Sequence, residues 1–247
     1  MKRIVMIGLA LLAVAIGQQS DGDVVLNKII DLMNPENARG VMKQTIETTS
    51  GELRTFEYET FAGNKGENQL MRYLAPGRVK GNAMLMTDYS DNIWMYNRRT
   101  NRVRKLASHA KKQKFEGSDF TYEDMGSGDS WLDDYHPEIT GSEQLAGGKC
   151  WLLKMAAKSV DLSYSKMVIW ARTGDYFPVR IDYYDENATF TKSLLLENIR
   201  LIDGIPTPFK MTMKNNLENT QTVMEYVEVT YDITFEDDFF SERNLKK

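Results

Sequence analysis

Short runs of alternating apolar and polar residues, separated by turn residues, recur along almost the whole chain after residue 40. A period of two places successive side chains on opposite faces of a strand, whereas a helix repeats every 3.6 residues. Breaks such as Ser50-Gly51 and Pro76-Gly77 have turn chemistry, so consecutive strands are expected to pair antiparallel. The pattern predicts strands at 40–49, 53–62, 69–75, 82–88, 93–96, 102–106, 136–144, 149–157, 164–171, 178–185, 191–202, 207–215 and 221–232.

About a dozen antiparallel strands rarely remain one flat sheet, because strand twist curls them into a barrel, a part barrel or a sandwich. One amphipathic helix precedes the strands, beginning at Asp21 or Asp23 and ending at Asn34-Pro35. The stretch 107–135 has no strand pattern and is predicted to be a functional lid or a flexible loop. No repeat or linker divides the chain, so residues 18–247 are predicted to form a single mainly β domain with a concave face.

The first residues have the three parts of a secretory signal peptide: basic Lys2-Arg3, an apolar run, and small residues up to Gly17. We predict a leader at 1–17, cleaved after Gly17; the alternative is a membrane anchor, for which the apolar run is short. Gln18, and not a cysteine, follows the leader, so no lipidation is expected. With Cys150 as its one cysteine the chain can form no internal disulfide, and export without one fits the periplasm of a Gram-negative bacterium. No later apolar run is long enough to span a membrane.

Several classes of function lack support in the residues. The net charge of −4 disfavours a nucleic-acid binder. The two histidines, His109 and His136, have no neighbours suited to a metal site, and neither a Gly-x-Ser-x-Gly elbow nor a phosphate-binding glycine loop occurs. We therefore predict no catalytic residue, no metal and no cofactor. Two carboxylates in the acidic segment 116–134 could form a glycosidase pair, but a solvated acidic loop is the favoured interpretation.

Two blocks of opposite charge are adjacent: eight basic residues lie in 98–114 and seven acidic residues in 116–134. They could fold onto each other as a charged strap, which is the favoured interpretation, or present separate faces to different partners. In the second case the basic residues would dock a partner. The candidates for docking are Arg98, Arg99, Arg102, Arg104 and Lys105.

Methionines and aromatic residues alternate on several predicted strands, as at Met84 and Met86 or at Trp94 and Tyr96. Flexible thioethers suit a cavity that accepts variable apolar cargo, although filling the core of a β domain is the favoured interpretation of such residues. The candidate cargo-binding residues are Met84, Met86, Trp94, Tyr96, Trp170, Met211 and Met213.

One region has a more specific signature. The residues with this signature are Arg72, Pro76, Lys80-Gly81, the Trp-Met-Tyr at 94–96, the basic run 102–106 and above all FEGSDFTYEDM at 115–125. Together they resemble the exported LolA-like family of outer-membrane lipoprotein-sorting proteins. A looser similarity continues through 176–186, 204–208 and 233–245, so it covers nearly all of the chain after the leader.

The resemblance implies a LolA/LolB-like fold, an incomplete, half-open antiparallel β-barrel with an N-terminal helix and a short helical or loop lid. It implies a periplasmic carrier in outer-membrane biogenesis that moves a lipid, a lipoprotein acyl anchor or a similar amphiphile between inner and outer membrane without catalysis. The alternatives are an accessory protein docking on an inner-membrane export pump and a secreted hydrolase using the segment 116–134. An outer-membrane acceptor is a further possible partner.

The GSDFTYEDM motif marks a branch of the family associated with large export pumps, which leaves the cargo open. Its residues could present aromatics to the hollow and acids to solvent, or lock a long loop to the barrel, which is the favoured interpretation. The motif and lid residues are Gly117, Ser118, Asp119, Phe120, Tyr122, Glu123 and Asp124.

Overall fold

The computed structural model describes residues 21–126, 130–145 and 148–247. The predicted leader at 1–17 lies outside these residues, as does the side chain of His109. Within the described part of the chain, no helix has the length and apolar character that a membrane span requires.

Thirteen strands follow one N-terminal helix, and each lies within a few residues of its predicted position. The prediction of a mainly β chain is therefore confirmed. The strands are β1 (Asn37–Glu47), β2 (Leu53–Gly63), β3 (Asn68–Ala75), β4 (Ala83–Thr87), β5 (Asn92–Asn97), β6 (Arg102–Lys105), β7 (Tyr135–Leu145), β8 (Gly148–Ala157), β9 (Lys166–Arg172), β10 (Pro178–Tyr184), β11 (Phe190–Ile202), β12 (Ile205–Asn215) and β13 (Thr220–Tyr231).

All thirteen strands belong to one antiparallel sheet, in the order β6-β5-β4-β3-β2-β1-β13-β12-β11-β10-β9-β8-β7. Two meanders, β1 to β6 and β7 to β13, join where β1 pairs with β13. The edge strands β6 and β7 do not pair, so the curved sheet remains unclosed, as expected for a half-open barrel. Because β6 and β7 are consecutive strands, the segment between them links the two edges.

Helix α1 (Asp21–Met33) places its apolar face in the core, burying Val25, Leu26, Ile29 and Ile30. It packs closely on edge strand β7: a Cβ at Gly22 would lie 2.4 Å from the carbonyl oxygen of Pro137. Only glycine permits this approach without displacing the backbone. The helix therefore packs beside the β7 edge of the sheet.

The segment between β6 and β7 is made of short pieces, as its lack of a strand pattern predicted. It contains 3₁₀ turns at Ser108–Lys112 and Phe115–Gly117, then α2 (Tyr122–Gly126) and α3 (Trp131–Asp134). Phe115, Phe120 and Trp131 are buried in the main core. The segment is thus part of the packed interior of the sheet.

A second apolar cluster lies on the opposite face of β2 to β5, where Leu70, Leu85 and Tyr96 pack with Phe61 and Leu245. The C-terminal segment 233–247 covers this face with its phenylalanines. Strands β3 to β5 are therefore apolar on both faces, which explains why residues 83 to 86 are all buried.

Candidate cargo-binding cavity

An apolar cavity of about 270 Å³ lies between the C-terminal turn of α1 and the inner faces of both meanders. It is on the side of the sheet where α1 ends and β1 begins. Its walls are mostly aliphatic and thioether side chains, including Leu32, Met42, Met125, Leu194, Met211 and Met224. Methionine adapts its shape through three rotatable bonds, so such walls can accommodate chains of different lengths.

Of the predicted cargo residues, Met211 lines this cavity. Met213 points to the same side but is fully buried in the core, and so are Met84 and Met86, each at most 1% exposed. These three methionines share the inner face of the sheet with the cavity without forming its walls.

The structure places the three predicted aromatic residues elsewhere. Trp94 and Tyr96 pack in the second cluster, on the face opposite Met84. Trp170 donates its indole N–H to Glu143 across 2.8 Å, and the guanidinium of Arg180 lies 4.6 Å above its ring. The seven predicted residues are therefore not brought together. The register of the strands places the aromatic side chains on the face of the sheet opposite the cavity.

The GSDFTYEDM motif is anchored to the barrel through Asp119, which is 5% exposed. Its two carboxylate oxygens accept hydrogen bonds from Thr220 Oγ1 at 2.6 Å and Thr222 Oγ1 at 2.8 Å, both on β13. The Asp119 N–H donates in turn to Thr222 Oγ1 at 2.9 Å. The motif is thus fixed to the strand at the junction of the two meanders.

A second anchor follows at Asp124, whose carboxylate forms a buried ion pair with Lys192 of β11 at 2.5 Å. The other carboxylate oxygen accepts a hydrogen bond from the Tyr164 hydroxyl at 2.8 Å. Burial, together with the charge of Asp124, raises the pKa of Tyr164 well above its usual value. The hydroxyl therefore stays protonated and remains a donor.

A third carboxylate, Glu116, binds the opposite half of the sheet and accepts the Tyr73 hydroxyl at 2.5 Å. Burial and Glu116 raise the pKa of Tyr73. Phe120 faces the apolar cavity, and Tyr122 packs edge-on against Phe115. The sequence interpretation in which the acids face solvent is thus wrong for Asp119 and Asp124: these contacts lock the segment to the barrel.

The basic block pairs outside the acidic segment. Lys111 forms an ion pair with Asp91, and Lys114 lies 2.5 Å from Glu218. Among the described residues these contacts replace the expected strap between 98–114 and 116–134. The side chains of the proposed docking residues on the β5–β6 hairpin form no ion pair within the described chain and are exposed: Arg98, Arg99, Arg102, Arg104 and Lys105.

A second, more polar cavity of about 390 Å³ lies on the other side of α2. The β4–β5 loop forms one wall, with three successive residues, Asp88, Tyr89 and Ser90, at positive φ. This loop packs so closely on α2 that a Cβ at Gly126 would meet Ser90 Oγ at 2.2 Å. Helix α2 thus separates an apolar from a polar hollow, an arrangement that the sequence did not indicate.

Comparison with known proteins supports the fold. A protein-family model described as "Uncharacterized protein" matches residues 65–247. No curated protein matches the chain.

Three crystal structures are similar over nearly their full length. A "putative outer membrane lipoprotein-sorting protein domain" from Vibrio parahaemolyticus has a TM-score of 0.80 at 21% identity, covering 90% of this chain and 97% of its own. A DUF1329 family protein from Desulfovibrio piger has a TM-score of 0.81 at 24% identity, covering 91% and 97%. A LolA superfamily protein from Nitrosomonas europaea has a TM-score of 0.75 at 17% identity, covering 90% and 98%. These likenesses establish the fold.

Proposed function

This chain belongs to the family whose model spans residues 65–247 and has the LolA-like fold, and from that premise we propose that it is a periplasmic carrier. Its cargo is an acyl chain of a lipid, a lipoprotein anchor or a similar amphiphile. The observation that carries the proposal is the apolar, methionine-rich cavity of about 270 Å³ beside α1.

A carrier of this kind must shield the acyl chain of its cargo from water, and it needs to catalyse no reaction. Each methylene transferred from water to such a cavity contributes about 0.8 kcal/mol, so even a short stretch of chain is held usefully. Asp119 and Asp124 anchor the motif segment to the barrel, so these two carboxylates are already engaged and do not form the pair that the hydrolase alternative requires. Release then comes from a competing acceptor, because a carrier without a nucleotide site has no energy source of its own.

The cavity is smaller than the roughly 300 Å³ at which drug-sized pockets begin. It therefore takes part of one chain, and a complete anchor enters only if α1 or the motif segment shifts outward. The last turn of α1 forms a wall of the cavity, so an outward shift of this turn would widen it.

A partner for this carrier is proposed to dock on the β5–β6 hairpin. The exposed arginines there, which form no ion pair with the described residues, give a local positive field on a chain of net charge −4. Such a surface attracts an acidic face of an inner-membrane export pump or of an outer-membrane acceptor.

The direct test is mass spectrometry of lipids extracted from the protein purified from the periplasmic fraction. We expect acylated molecules in a fixed ratio to protein, and displacement of a dansyl-labelled undecanoic acid by the extract. A protein that carries no acyl compound and does not bind the fatty-acid probe would contradict the proposal.

A further inference from the structure

The polar cavity beside α2 has walls unlike those of the apolar one. Its lining residues include the aromatic Trp131, Tyr135, Tyr164 and Tyr183. Four carboxylates and two ammonium groups also line it. A hollow of about 390 Å³ has room for several ordered waters, at roughly 30 Å³ each, or for one small polar molecule.

The two lysines in the wall are already engaged. Lys111 is paired with Asp91, and Lys112 donates its ammonium to the backbone oxygen of Asp161 at 3.1 Å. Of the remaining carboxylates, Asp88 accepts from Asn92 and Glu123 accepts from Ser163. The balance of charge in the cavity is therefore negative.

Two groups in the wall lack a partner. The Asp134 carboxylate makes no hydrogen bond or ion pair within the described residues, although its backbone oxygen accepts from the Lys158 N–H at 2.8 Å. The Tyr183 side chain is only 5% exposed, and its hydroxyl has no hydrogen-bond partner in the described chain. The hydroxyl lines the cavity and is therefore free to bind a ligand or water there.

We propose that this cavity is a binding site for an organic ammonium group, held by Asp134 and Glu123 with the Tyr183 hydroxyl and the aromatic wall around it. Carboxylates provide the counter-charge, and the faces of aromatic rings attract the cationic centre. The site does not depend on the carrier function. The ammonium group can belong to a free amine or to the headgroup of an amphiphile.

Isothermal titration calorimetry of the full chain after removal of its leader tests this site with two probes. Tetramethylammonium chloride represents a free cation, with tert-butanol as the neutral control of similar shape. Dodecyltrimethylammonium represents a headgroup, compared with neutral-headed dodecyl maltoside. We expect at least one cation to bind about tenfold more tightly than its neutral counterpart, which corresponds to about 1.4 kcal/mol, because the carboxylates and the faces of the aromatic rings attract the cation and not the neutral molecule.

The decisive variant is Asp134→Asn, with Asp133→Asn as the matched control. The two changes remove the same charge from adjacent residues, but Asp133 is exposed and lies outside the cavity wall. Asp134→Asn should remove the preference for the cation, and Tyr183→Phe should weaken it severalfold, while Asp133→Asn leaves it unchanged. A preference for tetramethylammonium identifies a free cation, and a preference confined to the amphiphile identifies a headgroup.

The proposal is overturned if neither cation is preferred to its neutral counterpart, or if the preference survives Asp134→Asn. Because binding of fatty-acid probes to the apolar cavity is measured separately, a failure here leaves the carrier function standing. Conversely, a protein that binds the cation and no acyl chain would keep this site and lose the carrier.

Discussion

Lys192 on β11 and Asp124 on α2 form an ion pair of 2.5 Å in which the two side chains are 8% and 3% exposed. The ammonium also lies over the rings of Tyr164 and Tyr183, at 5.1 and 5.3 Å from their centroids. A charge buried to this degree is stable only while its partner is present. The pair therefore fixes α2 between the apolar and the polar cavity.

Replacing Asp124 with Asn should destabilise the protein by about 3–5 kcal/mol, because Lys192 would remain buried without a counter-charge. The Tyr164 hydroxyl would also lose its anionic acceptor. Urea unfolding followed by circular dichroism measures the change. The double variant Asp124→Asn with Lys192→Met should recover part of the loss, and a single variant as stable as wild type would show that the pair contributes nothing.

Aspartate substitutions on the inner face should separate cavity residues from core residues. Met211→Asp places a charge in the wall of the apolar cavity and should reduce binding of a dansyl-labelled fatty acid at least tenfold in a protein that still folds. Met84→Asp buries an unpaired charge in close-packed core and should prevent folding. Trp94, on the other face, offers the control: Trp94→Asp should leave probe affinity unchanged.

For each variant, circular dichroism reports folding and the dansyl fluorescence reports the cavity. If Met211→Asp folds and binds the probe as wild type does, the acyl chain lies outside this cavity. If Trp94→Asp folds but abolishes binding, the cargo uses the opposite face of the sheet.

The strands could be predicted because an antiparallel sheet with one apolar face imposes a period of two on the sequence. All thirteen were found from that period and from the turn residues, with ends shifted by up to three residues, as at β1. The position of the irregular segment between β6 and β7 could be predicted for the same reason, since 107–135 is the stretch where the period fails.

Which face of each strand is internal could not be predicted, because alternation defines two sets of side chains without saying which is inside. The ambiguity is greatest on β4, where Met84 and Leu85 are both buried, one against the main core and one beneath the C-terminal segment. The burial of Asp119 was also missed. Its partners Thr220 and Thr222 are about a hundred residues away along the chain, and nothing local distinguishes it from a solvated acid.

The basic β5–β6 hairpin should act on association and not on stability. Arg102→Ala with Arg104→Ala removes two exposed charges without ion-pair partners in the described chain, and such charges contribute little to folding. We expect a melting temperature within about 2 °C of wild type and slower, salt-sensitive binding to inner-membrane vesicles, measured by surface plasmon resonance at 50 and 300 mM NaCl. A large loss of stability with unchanged association would contradict the docking surface.

Arg72 on β3 should hold the C-terminal segment against the outer face of the sheet. Its Nη2 donates to the backbone oxygen of Asn244 at 3.1 Å and to Asn244 Oδ1 at 3.3 Å, and its guanidinium lies 5.4 and 6.0 Å from the ring centroids of Phe61 and Phe239. Burial lowers the pKa of Arg72, but an arginine with a lowered pKa still carries its charge at neutral pH.

Arg72→Lys keeps the charge and loses the planar guanidinium that contacts the two rings and holds Nη2 against Asn244, so it should release the segment almost as fully as Arg72→Ala. Hydrogen–deuterium exchange of residues 233–247 should rise at least tenfold in both variants, while exchange in β8 to β11 stays as in wild type. Arg78→Lys, an equivalent change at an exposed arginine that lies over Phe56 on the inner side, is the control and should leave residues 233–247 protected. If Arg72→Lys exchanges like wild type, charge alone holds the segment; if Arg72→Ala does too, the phenylalanine cluster suffices and Arg72 is not the clamp.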